Sequence, residues 1–139
     1  MEIIEQLRQL KLPKGQYIVV GSSLMQLYGL KICNDLDIVV SPELFHILQV
    51  SSDWESIPWT YVNKSNGVFL RKGDIEIYLD VNCGDFNPTL SDLLSRAIYI
   101  EGFAFASLED ILEFKRRYVL TKPKHSYDIE LLEAFLGNL

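Results

Sequence analysis

Asp35 and Asp37 stand one residue apart at the head of the apolar run Ile38-Val39-Val40, within the stretch GSSLMQLYGLKICNDLDIVV. Alternate residues of a strand point to one face, so both carboxylates are expected on the same side. At close range they repel unless positive charge lies between them. A second acidic alternation occurs in DIEIYLDVN, where Asp74, Glu76 and Asp80 share one parity. Ile75, Ile77, Leu79 and Val81 share the other and should face the core. If these two strands pair side by side, a third carboxylate can join the first two. Asp80 is the preferred candidate and Glu76 the alternative, with strand register as the arbiter. Three oxygen-rich side chains suit a hard cation, Mg2+ or Mn2+. Two such ions can serve phosphoryl transfer, activating the attacking oxygen and steadying the departing pyrophosphate. The blander alternative is that these are strand-end acids facing water.

The turn before the first pair sharpens the chemistry. Gly21-Ser22 falls between a buried strand and a helix. Glycine permits close backbone approach, and amide groups opening a helix favour an anion. Cation ligands beside an anion-binding turn match the needs of a nucleoside triphosphate. Near the C-terminus, Leu108, Ile111, Leu112, Lys115, Tyr118 and Val119 have helical spacing, as do His125, Asp128, Ile129, Leu132, Phe135 and Leu136. Lys115 and Asp128 therefore fall on apolar stripes, where an unpartnered charge is costly. Either they form an ion pair tying two helices together, or Lys115 reaches the triphosphate while Asp128 orients it or the acceptor.

These residues need a scaffold, and the rest of the chain supplies one. Its 139 residues suit one domain, 1–139, and 48% hydrophobic residues suffice for a core. A net charge of −6 argues against a broad face for duplex DNA. Lys115, Arg116, Arg117, Lys122 and Lys124 form a local basic cluster. Cys33 and Cys83 lie far apart and make no zinc pattern, which suits free thiols in a reducing cytoplasm. No leader pattern or membrane-length apolar run is present, so a cytoplasmic protein is expected. Periodicity predicts a helix over 2–10, a strand over 17–20, a helix from Ser22 or Ser23 to Gly29, a strand over 35–40 and a helix over 42–50. A short strand is expected near Trp59–Val62, then a turn at Asn63–Gly67. A hairpin follows, of strands Val68–Arg71 and Ile75–Val81. Thr89 or Ser91 should cap a helix to Ala97, and Ile98–Phe105 reads as one strand. Ser107-Leu108-Glu109-Asp110 resembles a capping box opening a helix to about Leu120, and a last helix covers Ser126 to Leu136. The class is α+β, a mixed sheet followed by two C-terminal helices. Trp54, Trp59 and Tyr61 read as core volume before base-stacking surface. His46 reads as structural, and His125 as a residue that opens the last helix.

An apolar strand, Gly-Ser, a helix and then Asp-x-Asp about a dozen residues later resembles the nucleotidyltransferase superfamily of the polymerase-β-like fold. The frame from Gly21 to Asp37 is similar to the branch that holds abortive-infection toxins and small antibiotic nucleotidyltransferases. Ser-Leu-Glu-Asp-Ile-Leu-x-x-Lys, then Lys-x-x-x-Asp-Ile, resembles the later motifs of that branch, with Lys115 and Asp128 in the matching positions. The resemblance covers about residues 17–137. Where the branch usually has Arg and Ser or Thr before the first Asp, this chain has Lys31 and Cys33; Lys31 keeps the charge without the bidentate fork. The resemblance implies a nucleotidyltransferase-like mixed β-sheet flanked by helices. It implies Mg2+ (or Mn2+) on Asp35, Asp37 and Asp80 or Glu76, and nucleotide contacts from Gly21, Ser22, Lys31 and Lys115. The implied activity moves a nucleoside monophosphate to an acceptor, a tRNA end, a protein or a small molecule, in a toxin–antitoxin, phage-defence or drug-modifying setting. An antitoxin partner belongs to the first of these. A catalytically inactive binding module on the same fold is the alternative.

Overall fold

The computed structural model describes residues 2–58, 67–81, 85–118, 123 and 125–138. Among them, the chain is α+β. In chain order the elements are α1 (Ile3–Leu10), β1 (Tyr17–Val20), α2 (Ser23–Leu27), β2 (Leu36–Val40), α3 (Pro42–Val50), β3 (Glu55–Pro58), β4 (Val68–Lys72), β5 (Ile75–Tyr78), α4 (Leu90–Ser95), β6 (Ile98–Ile100), β7 (Phe103–Phe105), α5 (Leu108–Tyr118) and α6 (His125–Gly137). The seven described strands form one mixed sheet in the order β3-β4-β5-β2-β1-β7-β6. β2 is antiparallel to β1 and parallel to β5, and β1 is parallel to β7.

The composition of each strand follows its place in that order. β1 and β2 are central and covered on both faces, so they need apolar side chains at successive positions. Ile18, Val19, Ile38, Val39 and Val40 are all buried. β3, at one end of the order, is the polar segment Glu-Ser-Ile-Pro, and its proline withholds a ladder donor where a central strand would need one. The apolar core is continuous from α1 through the sheet to α5 and α6, and Leu132 of α6 is fully buried within it. α5 and α6 pack on each other, while α2 and α4 contact β1.

Helix starts follow side-chain chemistry. The Ser41 hydroxyl accepts the Leu44 amide at 3.2 Å, and Pro42 needs no amide partner in the first turn. Thr89 and Asp92 form a reciprocal capping box on α4, each accepting the other's amide at 3.0 Å. The expected box on α5 is only half made. Ser107 accepts the Asp110 amide at 3.1 Å, but the Asp110 carboxylate turns to Arg96, 2.9 Å away.

Several boundaries depart from the periodicity. β5 ends at Tyr78 rather than Val81. The expected single strand over 98–105 is a hairpin, β6 and β7. Its two-residue turn, Glu101-Gly102, has φ of 50° and 85°, the backbone sign that matches tight hairpins to strand twist. β3, at 55–58, was not foreseen. The strand expected near Trp59–Val62 lies outside the described residues, as do Tyr61, Cys83, Val119, Lys122 and Lys124. Trp54 is buried, with the Lys72 ammonium 5.0 Å from its ring, as a core role requires. Among the described residues, no helix is long and apolar enough to cross a membrane.

Candidate active site

The acidic half of the site is built by three neighbouring strands. β1 ends at Val20, the chain turns through Gly21-Ser22, α2 runs for one turn and a half, and β2 returns beside β1. The pairing Val20↔Asp37 brings Asp37 back beside the turn. Gly21 has φ 76°, and a Cβ built on it would lie 2.8 Å from Asp37 Oδ2. The glycine is thus required twice, by its backbone conformation and by the carboxylate that fills the space a side chain would take. Asp35 is exposed and Asp37 half-buried. The Asp35 carbonyl is held by the Ser23 hydroxyl at 3.2 Å and by the Cys33 thiol at 3.0 Å. Burial pushes the Cys33 thiol above its ordinary range, and the neighbouring aspartates add to this against the hydrogen bond to Asp35. Cys33 is therefore a packing and donor group rather than a reactive thiolate.

Strand register separates the two candidates for the third carboxylate. β2 and β5 are parallel, with Asp37 opposite Glu76. Side chains directly opposite in a sheet share a face, so Glu76 is the lateral neighbour of Asp37. Asp80 lies two residues beyond the end of β5 and lines a separate cavity of about 470 Å³ with Val40, Pro42 and Thr89. The register that sets Glu76 opposite Asp37 leaves Asp80, the residue preferred from the sequence, four residues further along the chain, and β5 ends before reaching it. Two further residues, which sequence reasoning missed, act on Glu76. Arg71 Nε stands 3.5 Å from Glu76 Oε2, and the Tyr78 hydroxyl donates to Oε1. The pairing Arg71↔Glu76 explains the first contact, and it could be anticipated only once the β4–β5 hairpin register is known.

The basic half comes from the C-terminal helices. Lys115 of α5 and Asp128 of α6 are both buried, with Nζ 2.8 Å from Oδ2. Lys115 Nζ also donates to the Ser22 hydroxyl at 2.8 Å. Lys31, from the loop before β2, donates to both oxygens of Asp128 at 3.0 and 3.1 Å. His125 Nδ1 lies 3.8 Å from Asp128 Oδ2. Burial alone would raise the Asp128 carboxyl, but hydrogen bonds from Lys115 and Lys31 outweigh it and hold the group below its ordinary range. Burial pushes Lys115 below the usual lysine range, opposed by Asp128 and reinforced by the charge of Lys31. The ion-pair reading of Lys115 and Asp128 therefore describes their contact, and Lys31 makes it a triad of two ammoniums on one carboxylate. With both lysines charged, the triad carries one positive charge in excess, which favours an anion.

The two halves meet at one turn, since Gly21 touches Asp37 and Ser22 touches Lys115. α2 has only five residues and Ser22 makes no side-chain cap on it. The serine hydroxyl is committed instead to the buried lysine.

The donor chemistry of Asp35, Asp37 and Glu76, all oxygen ligands, suits a hard cation, and strand register puts Asp37 and Glu76 side by side. Their side chains are not gathered, however. Among the described residues, no group of three or more His, Cys, Asp or Glu side chains is close enough together to hold a metal ion. Glu76 is instead engaged by Arg71 and Tyr78. No protein-family model, curated protein or solved structure matches the chain. Fold class and site geometry thus define an α+β protein with opposed acidic and basic groups at a glycine-serine turn.

Proposed function

We propose that the chain is a metal-dependent nucleotidyltransferase, which moves a nucleoside monophosphate from a nucleoside triphosphate to an acceptor and releases pyrophosphate. The observation that carries this reading is the convergence of the two charge sets on Gly21-Ser22. The Gly-Ser and Asp-x-Asp spacing of the sequence supports it independently. Asp35, Asp37 and Glu76 are the residues that would hold Mg2+ or Mn2+. When bound, such an ion neutralises phosphate charge and makes an acceptor hydroxyl easier to deprotonate. Lys31 and Lys115 meet the β- and γ-phosphates, and Asp128 keeps both ammoniums pointed at the turn until the triphosphate arrives. The Ser22 hydroxyl, now accepting from Lys115, becomes a donor to the same anion. Charge developing on the leaving pyrophosphate is met by Lys115, whose burial strengthens the interaction. In this reading the acceptor is an RNA end or a protein, the setting is that of a toxin restrained by an antitoxin, and expression arrests growth unless Asp35 is lost.

The direct test incubates the intact chain with Mg2+, each labelled nucleoside triphosphate and total cell RNA and protein. Label transferred by the wild type and not by Asp35→Ala is the expected result. A second reading is a nucleotide-binding module without catalysis, favoured by the engagement of Glu76 with Arg71 and Tyr78. It predicts no transfer with any nucleotide, while a triphosphate still raises the melting temperature.

A further inference from the structure

Asp128 holds two ammoniums in unequal grips. Lys115 and Lys31 both bond Oδ2, at 2.8 and 3.1 Å, and Lys31 also reaches Oδ1 at 3.0 Å. The Lys115 side chain is 4% exposed and that of Lys31 29%. A bridge whose lysine reaches water is worth at most about fivefold in an equilibrium constant, whereas breaking a buried pair typically costs about a hundredfold or more. Lys115 is also tied on a second side. It donates to the Ser22 hydroxyl at 2.8 Å, so two of its three donors are committed to the protein and one is left. Both bonds of Lys31 go to the one carboxylate. The backbone around Lys31 is pinned. The Leu30 amide donates to the Met25 carbonyl at 2.9 Å, the Cys33 amide donates to the Gln26 side chain, and the Tyr28 ring lies 5.5 Å from that of Phe135. Movement of the Lys31 ammonium is thus rotation along its four-carbon stem, with the loop left in place.

We propose that an arriving polyphosphate takes Lys31 away from Asp128 and leaves Lys115 on it, so that Lys31 is the exchanging ligand of the anion and Lys115 the fixed one. The inference rests on the phosphate half of the proposed function and adds which ammonium Asp128 gives up. Relative grip decides the choice. Release of Lys31 breaks the weaker bridge, and its charge is met again by phosphate oxygens. Release of Lys115 would break the buried pair and leave Asp128 in the interior with only the exposed lysine. Lys115 has a further reason to stay. Standing between the carboxylate and the anion, with its third donor toward the ligand, it keeps two negative groups from repelling. Until the anion comes, Asp128 fills its place on Lys31 and keeps that ammonium beside the Gly21-Ser22 turn.

Calorimetric titration of the intact chain with inorganic tripolyphosphate, in EDTA and then in Mg2+, tests this without reference to activity, and a crystal structure with the same ligand shows the exchange directly. Lys31→Gln should weaken binding in EDTA about five- to fiftyfold, the worth of a hydrogen bond to a charged group less the bridge given up. It should leave the urea midpoint close to that of the wild type, which separates a ligand-binding role from a structural one. Lys14→Gln is the charge control. Lys14 is exposed and precedes the start of β1, whose far end carries the turn. It should leave the affinity unchanged within about twofold, since charge at that distance is largely screened. In the crystal, Lys31 Nζ should lie on the ligand and off Asp128, with Lys115 Nζ still bonded to Asp128. If both lysines stay on Asp128, or if Lys115 is the one released, the inference is wrong and the proposed function survives. Tripolyphosphate binding that Lys31→Gln does not weaken has the same meaning. An equal loss from Lys14→Gln also overturns the exchange, in favour of a general charge effect. Absence of binding in EDTA overturns the inference alone; absence in Mg2+ as well removes the phosphate half of the proposed function.

Discussion

Replacing Asp128 by Asn should destabilise this protein more than any exposed acid would. The Lys115 side chain is 4% exposed and that of Asp128 5%, so the pair is desolvated. Removing one partner leaves an ammonium in the interior, which typically costs about 3–5 kcal/mol. The lysine can escape by shedding its proton. At pH 7 that escape costs about 1.4 kcal/mol for each unit between neutrality and its ordinary value, or about 4–5 kcal/mol, so the two bounds agree. Lys31 adds little, because its side chain is 29% exposed and can turn to water. For 139 residues, about 3–4 °C of melting temperature accompanies each kcal/mol, so the expected drop is about 10–17 °C. Urea denaturation at pH 7 gives the free energy directly. The effect should persist at high salt, since buried pairs are weakly screened. A double variant, Lys115→Met with Asp128→Leu, should recover most of the loss, because the uncompensated charge is gone. A loss below about 1 kcal/mol for Asp128→Asn, well under the range for a broken buried pair, would show that Lys115 is hydrated and would refute the reasoning. The pH dependence has a definite sign. Asp128 is held below its ordinary value, so its contribution is complete above about pH 4 and is lost as the pH falls through the lower folded value. Asp128→Asn should flatten the acid limb of the stability curve.

Gly21→Ala should lose about 1–2 kcal/mol to backbone conformation alone, and its Cβ would displace the Asp37 carboxylate. Urea denaturation reads the sum of the two effects, and a variant as stable as the wild type would contradict the close approach. Thr89→Ala removes half of the α4 capping box and should cost about 1 kcal/mol with no change in nucleotide affinity, read by urea denaturation and nucleotide titration. Burial raises the Tyr17 phenol above its ordinary value, against the amide that Ala104 donates to it at 3.2 Å. Unfolded tyrosine ionises first, at about pH 10, so the contribution of Tyr17 is complete below that pH and is lost as pH rises toward the folded value. Alkaline unfolding of Tyr17→Phe should therefore be shallower than that of the wild type.

Local chemistry made much of the chain legible. Ser41-Pro42, the Tyr17–Val20 run and the helical stripes of α5 and α6 each announce their element through caps, β-branched runs or period. The stripes also announced Lys115 and Asp128, because a charge on an apolar stripe stands out. Gly21 and the Asp35–Asp37 pair were visible for the same reason: few backbones use glycine, serine and alternating acids in that order without a steric or electrostatic need. The tertiary structure decided what depends on partners distant in sequence. Whether Glu76 or Asp80 neighbours Asp37 is a matter of strand register, which does not follow from side-chain period, since residues 76 and 80 have the same parity. The hold of Arg71 on Glu76 depends on hairpin pairing, and that of Lys31 on Asp128 joins residues 97 apart. The use of the Ser22 hydroxyl by Lys115, in place of a helix cap, is settled only when α5 packs against the turn. Sequence fixes which groups are available and which way each faces along its own element; pairing and packing across the chain fix which of them meet.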